Sequence, residues 1–364
     1  MAVQPEDLKV SFNVMSLKDR IISLATSHGA DLVGVAGVNV YADYVEEVSV
    51  RLQETGATGQ DYMLGGDAMA FFENLSDVRR TLASAKSIVL LGVYSFDREG
   101  DYRATRQKLQ GKTARTYAYY PVVRQIAEQV AGFIEEAGYR AVQGQHIPLK
   151  HAANNIGLGS YGWNGLLLTE NCGSYVALRA VATDAELEPD AFEAPPVPCE
   201  DCGRCLKACP TGALYAPYKV NPALCINPLT RKEDDIPRPL REKMGNWVCG
   251  CNICQEVCPV NRNLKAREPD PRAGFDPSHH ASHQTLGGLA RCPELKALME
   301  NDRTPVMQRN AVIALANIGA EEAMDILRHY KAIDTGKLGE YIAWAIDRVA
   351  ERTAKHNKPD AGDV

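Results

Sequence analysis

The chain contains no run approaching the roughly 20 apolar residues that a membrane-crossing helix requires, so nothing in its 364 residues reads as a membrane span. Its opening stretch, MAVQPEDLKVSFNVMSLKDR, has neither the basic start nor the apolar core of a secretory signal. The expected location is therefore cytoplasmic, with no membrane partner. Basic charge is not in excess: 40 Lys and Arg against 46 Asp and Glu leave a net −6. That gives no whole-chain footprint for nucleic acid, although a local basic face can sit inside an acidic total. With 24% charged and 45% hydrophobic residues the composition is neither disordered nor fibrous. The length fits two to three units with real cores.

What the chain does have is eleven cysteines, nine of them between Cys199 and Cys258. A disulfide framework spreads its cysteines over a small secreted chain, whereas this packing into one segment of a long, signal-less chain favours metal. Around that segment three regions are distinguishable. Residues 1–190 alternate helix and strand signals. Leu17, Ile21, Ile22, Leu24 and Ala25 keep helical spacing up to Gly29, and Asp31–Ala36 and Lys86–Tyr94 read as buried strands. Val122, Val123, Ile126, Val130, Phe133 and Ile134 form an amphipathic helix closing at Gly138. An acidic, Pro-rich connection over 186–198 leads into the cysteine segment, residues 191–265. Residues 266–364 begin with an irregular crossing, which spans 260–290, and become helical near Cys292. There Asn310–Ile318 and Tyr341–Val349 match at an offset of 31, as a pair of HEAT-like repeats would, and the polar tail after Arg352 is expected to fray.

Cys199, Cys202, Cys205 and Cys209, followed by Pro210, have the spacing C-x2-C-x2-C-x3-C-P with which bacterial ferredoxins hold a 4Fe–4S cluster. Three thiolates from one tight turn reach three corners of a cube, and the fourth goes to the neighbouring cluster. Cys251, Cys254 and Cys258 with Pro259 repeat the end of that motif, and Cys225 is available as a distant ligand. The crossing rule assigns Cys199, Cys202, Cys205 and Cys258 to one cluster and Cys209, Cys225, Cys251 and Cys254 to the other. Zinc needs four ligands per site and no crossing. Cys249 breaks the tally as a second thiol near the ligands or an alternative to Cys251, while Cys172 and Cys292 read as buried thiols.

Ahead of the cysteines, the stretch from Ile156 to Gly165 carries glycines at 157, 159, 162 and 165. They suit either a close backbone approach to a large ligand or a plain connection between helix and strand. The spacing does not open a helix with an acid at Rossmann distance.

Taken in order, Gly157-Leu-Gly159 with Gly162 and Asn164, the first cysteine run with Thr211–Leu214, Cys225-Ile-Asn227, Met244-Gly-Asn246 and Gly250–Pro259 resemble the epoxyqueuosine reductases. These are cobalamin-dependent enzymes with two 4Fe–4S clusters, akin to reductive dehalogenases, and the resemblance covers about residues 17–350. It implies an α/β (α+β) corrinoid-binding domain over 1–190, an inserted ferredoxin-like domain over 191–265 and HEAT-like helices over 266–364. It further implies that Gly157, Leu158, Gly159, Ser160, Tyr161, Gly162, Asn164, Gly165, Asn227 and Asn246 face the corrinoid.

The implied chemistry is reduction of a carbon–heteroatom bond by cob(I)alamin, with electrons from the clusters and a proton from a side chain. An external donor of ferredoxin or flavodoxin class would supply the electrons. The substrate would be epoxyqueuosine in tRNA or a small organic molecule. The family carries an acid in a Val-Asp-Ser/Thr-Ala-Pro stretch before the Gly-Leu-Gly loop, whereas this chain reads Gln143-Gly-Gln-His-Ile-Pro148. The stretch Pro148–Gly157, with Asn164-Gly165 and Thr183-Asp184, equally resembles reductive dehalogenases. Candidate proton donors are His146, Lys150, His151 and Tyr120, with His146 first because imidazole titrates in the useful range. The other readings are a dehalogenase-like enzyme, an electron-transfer module without substrate chemistry, and an interaction protein built on the helical repeats.

Overall fold

The computed structural model describes residues 15–38, 41–62, 67–98, 107–144, 147–191, 199–274, 293–300, 305–332 and 336–356. Helix α1 (Leu17–Ser27) starts at a capping box in which Ser16 and Asp19 satisfy each other's amides. It gives way at Gly29, φ +95°, to β1 (Leu32–Gly37). Then follow α2 (Ala42–Thr55), α3 (Ala68–Ser76), β2 (Ser87–Tyr94), β3 (Lys112–Thr113), α4 (Tyr120–Glu136), β4 (Ala141–Gln143) and α5 (Leu149–Asn155). The region ends with the pair β5 (Ser160–Tyr161) and β6 (Leu167–Leu168) and with β7 (Val176–Thr183).

The main sheet runs β1-β2-β7-β4 with every pairing antiparallel. The alternation of helix and strand thus belongs to the α+β kind, because sequential neighbours return along the sheet without a parallel crossover. All eight residues of β2 are buried. Val89, Leu91 and Val93 join Ile21, Ile126 and Val130 on the α1/α4 face, and Ile88 and Leu90 join Ala152 and Ala153 of α5 on the other. This period-two division is what a strand covered on both faces needs.

The cysteine segment forms α6 (Arg204–Ala208), β8 (Leu214–Ala216), β9 (Lys219–Val220), α7 (Ile226–Leu229), α8 (Arg238–Lys243), β10 (Trp247–Cys249) and α9 (Ile253–Glu256). β10 pairs in parallel with β3, which ties the insert to the sheet domain. Beyond it, Arg267 crosses back over the sheet: its amide donates to the Phe96 carbonyl (3.1 Å) and its guanidinium to Asp31 (3.0 Å). Farther along, Gly274 donates to the carbonyl of Ala118 (2.7 Å). The expected irregular crossing is therefore a fastened strap as far as Gly274; the rest of it, with Cys292, lies outside the described residues.

Helices α10 (Leu295–Glu300), α11 (Pro305–Ile318), α12 (Glu321–Lys331) and α13 (Lys337–His356) complete the chain. They share one hydrophobic core with the insert, in which Ile236, Met244, Trp247 and Val248 pack with Met307, Ile313, Tyr341 and Ile342. A boundary drawn at residue 265 therefore separates sequence but not cores. The two residues that open the 31-residue match both grip the insert: Asn310 Nδ2 donates to the carbonyls of Thr230 (2.7 Å) and Val248 (2.8 Å). Tyr341 donates to Asp235 (2.5 Å) and accepts from the Ile236 amide (2.8 Å). Helix α13 continues four residues past Arg352, the point where fraying was expected, because Arg352 is held on the Asn317 carbonyl (2.5 Å). No helix among the described residues is long and apolar enough to cross a membrane.

Candidate metal centre

All eight predicted ligand cysteines are free thiols. Cys199, Cys202, Cys205 and Cys258 line one recess, whose wall is completed by Gly162, Trp163 and Asn164 of the β5–β6 turn. Burial raises the Cys205 thiol, and its thiol neighbours are Cys199 and Cys258; Cys258 is raised in the same way beside Cys199 and Cys202. Cys225, pushed up to about 11 by burial, lies near Cys209. Burial raises Cys251 well above an ordinary thiol, next to Cys254 and Cys225. Cys254 is also raised chiefly by burial, and its thiol neighbours are Cys225, Cys205 and Cys209. The eight thiols thus gather four and four, with Cys205 and Cys254 where the sets adjoin. Among the described residues, no three His, Cys, Asp or Glu converge on a single-ion position.

Two side-chain amides between the second-run cysteines and one just past them hold the run to the sheet domain, a role the sequence reading missed. Asn252 accepts from the Arg115 amide (2.9 Å), Gln255 donates to the Ser174 carbonyl (2.8 Å), and Asn261 Oδ1 accepts from the Ser174 amide (2.9 Å). Gly250, φ +69°, is required there, since a Cβ would sit 2.5 Å from that of Ala114.

Beside the second set, two cations flank Cys225: Lys150 and Arg231. Lys150 donates to the Gly165 carbonyl (2.7 Å). It is solvent-accessible, yet burial by surrounding protein pulls its ammonium down to about 8. Glu47 and Arg51 of α2 face the same ammonium, and they also face the Tyr161 phenol, which burial raises. Arg231 stacks 5.2 Å over Tyr117, whose hydroxyl donates to Asn227 Oδ1 (2.6 Å). Tyr120 meets Tyr117 edge-on at 5.6 Å; burial raises its phenol against the pull of Arg231 and Arg179.

The glycines of the 156–165 segment have local reasons. Gly157, φ +77°, closes α5 as a Schellman cap, with Leu158 N donating to Ala153 O (3.0 Å) and Gly157 N to Asn154 O (3.1 Å). Gly165, φ +69°, ends a three-residue hairpin loop in which Gly162 N donates to Leu166 O (2.9 Å). A Cβ on Gly159 would stand 2.6 Å from the Leu168 carbonyl oxygen, and one on Gly162 2.8 Å from Asn164 Oδ1. Asn164 itself accepts from the Leu166 amide (3.2 Å). Ser160 is buried and Leu158 packs against the α5 face of the sheet. Asn246 is taken up by Gln110 O (3.0 Å) and by the Lys112 amide on its carbonyl (2.7 Å). The glycine-rich stretch is therefore a cap and hairpin whose tip walls the first cysteine set. Gly159→Ala is expected to destabilise the fold by about 1–3 kcal/mol through overpacking, read as a lower denaturant midpoint at unchanged slope.

A 4Fe-4S double cluster binding domain matches residues 198–261. An epoxyqueuosine reductase of Pseudomonas aeruginosa is 31% identical over 250 residues, 64% of this chain and 67% of that protein. The chain belongs to the epoxyqueuosine reductase family. A solved epoxyqueuosine reductase holding a tRNA-Tyr epoxyqueuosine-modified stem loop superposes with a TM-score of 0.76 at 27% identity, covering 95% of both chains. The Bacillus subtilis epoxyqueuosine reductase, solved with its catalytic aspartate loop swung out of the active site, gives 0.75 at 26% identity, again with 95% of both chains covered.

Within this family the chain departs at the segment joining β4 to α5, which has no acid from Gln143 to Pro148. Of the candidate donors, His146 lies outside the described residues. His151 is buried between the rings of Tyr41 (5.3 Å) and Tyr44 (5.5 Å), with Nε2 3.2 Å from Asp43. It braces α2. Lys150 lies by Cys225 and Cys254 of the second set, and Tyr120 by Arg231 and Cys249.

Proposed function

We propose that this chain is a cytoplasmic, corrinoid-dependent iron–sulfur reductase acting on epoxyqueuosine in tRNA. The observation that carries the reading is the grouping of eight free thiols, four lining one recess and four gathered around Cys225 and Cys254, with the cations Lys150 and Arg231 beside Cys225. The donor chemistry fits two 4Fe–4S clusters: Cys199, Cys202, Cys205 and Cys258 hold one, and Cys209, Cys225, Cys251 and Cys254 the other. Lys150 and Arg231, the cations beside Cys225, would face a corrinoid bound next to the second set. A corrinoid bound there would supply, when reduced, a low-potential nucleophilic centre.

The chain's own residues supply the rest. Cys209, Cys225, Cys251 and Cys254 would hold the cluster nearer that position, and Lys150 and Arg231 place positive charge beside Cys225, where charge added to that cluster would be stabilised. Arg231 is held within the insert by the Asn227 carbonyl, and the Asn227 side chain accepts from Tyr117. Lys150 stands in for the missing acid as proton donor, since an ammonium near 8 is protonated at neutral pH and still gives its proton readily. The sign follows: turnover falls as pH rises through about 8, where the ammonium empties. Lys150→Met is expected to lower kcat by about 100-fold or more, with iron content unchanged. A pH limb that persists in Lys150→Met assigns the proton to another group.

The reading is tested by anaerobic turnover of an epoxyqueuosine-modified tRNA stem loop with the reconstituted protein, followed by nucleoside mass spectrometry. Conversion of the modified base supports it. No conversion by fully loaded protein, alongside turnover of a small organohalide, transfers the site to a small-molecule substrate.

A further inference from the structure

Cys225 and Cys251 enter the second set on separate arms of the insert, and a buried residue of the sheet domain, Tyr117, is wedged between those arms. On one side its ring lies 5.2 Å from the Arg231 guanidinium, and its hydroxyl donates to Asn227 Oδ1 (2.6 Å). On the other it packs on Gly250, where a Cβ would stand 2.6 Å from the ring. Thr230 closes the arms on each other: its hydroxyl donates to the Asn227 carbonyl (2.9 Å) and accepts from the Gly250 amide (2.8 Å). The Asn227 amide in turn donates to the Cys225 sulfur, and the Ile253 amide to the Cys251 sulfur (3.5 Å).

Arg231 is thereby fixed. Its Nε donates to the Asn227 carbonyl (3.3 Å), which turns the half-buried guanidinium back toward the Cys225 end of α7. Unlike the ammonium of Lys150, the other cation there, a guanidinium keeps its charge at every working pH. The first set is differently placed. Cys202 is exposed, and Glu200, Asp201, Arg204 and Lys207 around it are exposed charges of both signs, whereas no thiol of the second set is exposed. An added electron makes a cluster more negative. Solvent stabilises that charge at the first set, while at the second, fixed protein charge has to do so.

We propose that Arg231 is the fixed charge that keeps the second cluster reducible, and that Tyr117 is the positioning residue that holds it there. The inference deepens the proposed function and rests on reading Cys209, Cys225, Cys251 and Cys254 as ligands of one cluster. In the step concerned the second cluster gains one electron from the first, which has taken it from an external one-electron donor of iron–sulfur or flavin class. The first cluster returns to its oxidised form, no bond is made or broken, and no proton moves.

The test is a redox titration of the full chain, reconstituted with iron and sulfide but without corrinoid, read by electron paramagnetic resonance. Cys254→Ser, which keeps the first cluster, identifies that cluster's signal. Arg231→Gln is expected to make the second cluster at least tenfold harder to reduce at a fixed poise, a midpoint lower by at least about 59 mV, with iron content unchanged. Arg231→Lys recovers more than half of that shift, because the charge returns without the planar stack on Tyr117. Tyr117→Phe keeps the ring, loses the bond to Asn227 and moves the second midpoint the same way by a smaller step. Arg231→Gln made in Cys254→Ser leaves the remaining midpoint where it was. A wild-type second midpoint in Arg231→Gln overturns the proposal, and so does an equal shift of the first cluster. If Arg231→Gln loses iron, Tyr117→Phe decides in the same way. Wild-type protein that takes up no iron brings down the cluster reading itself.

Discussion

Cys254→Ser is expected to lose one whole cluster and all turnover, while Cys249→Ser keeps the full complement of iron. Cys254 is half-buried between the two sets, with Cys225, Cys205 and Cys209 as its thiol neighbours. A serine there removes one corner of the second cube, so iron content falls from about eight toward four. Cys249 is more deeply buried, with its thiol pushed up to about 12 by burial, but its charged neighbour is Arg231 and not a ligand thiol. Its backbone carbonyl accepts from the Ala114 amide (2.7 Å), in the strand pairing that ties the insert to the sheet. Iron analysis and the cluster absorbance of both variants check this. Full iron in Cys254→Ser, or half in Cys249→Ser, contradicts the ligand sets.

The second large effect is expected at Asn310, far from either set. Its side chain is fully buried and donates to two carbonyls of the insert, Thr230 and Val248, while its Oδ1 accepts from Arg309 (3.1 Å). Arg309 in turn donates to the Leu229 (3.0 Å) and Asp234 (2.7 Å) carbonyls. Asn310→Ala leaves these acceptors buried without their donor, at about 1–3 kcal/mol for each unsatisfied group. The stretch it holds runs between Cys225 and Cys251, so the damage reaches the second cluster. We expect a melting temperature lower by many degrees and faster loss of half the iron to a chelator, with the other half released as in wild type. An unchanged melting temperature would show that the helical region does not brace the insert.

How far the sequence was legible varied with the kind of signal. The cysteine runs were legible because cluster ligation imposes fixed short spacings, and a double cluster binding domain matches residues 198–261. The strands over 31–36 and 86–94 and the helix up to Gly138 were legible because each carries the period of its element. The direction of the strands was not, since helix–strand alternation is common to both sheet types and β7 hides behind a glycine-rich lead. The glycines at 157, 159, 162 and 165 were ambiguous in sequence: the same residue serves a cap, a hairpin and a ligand approach, and the cap and hairpin show only through neighbours such as the Leu168 carbonyl. His151 was singled out by residue type, but tertiary packing places it between Tyr41 and Tyr44. Arg231, Asn252, Gln255 and Asn261 escaped notice because nothing local marks a polar residue that will face another domain.

The central claim is that two iron–sulfur clusters feed a corrinoid bound beside Cys225. It is tested most directly by anaerobic reconstitution with iron, sulfide and cobalamin, followed by metal analysis and visible spectra before and after reduction. The account predicts about eight iron and one equivalent of cobalt per chain, with a cob(I)alamin band appearing on reduction. Full iron with no retained cobalt would contradict it and leave an electron carrier.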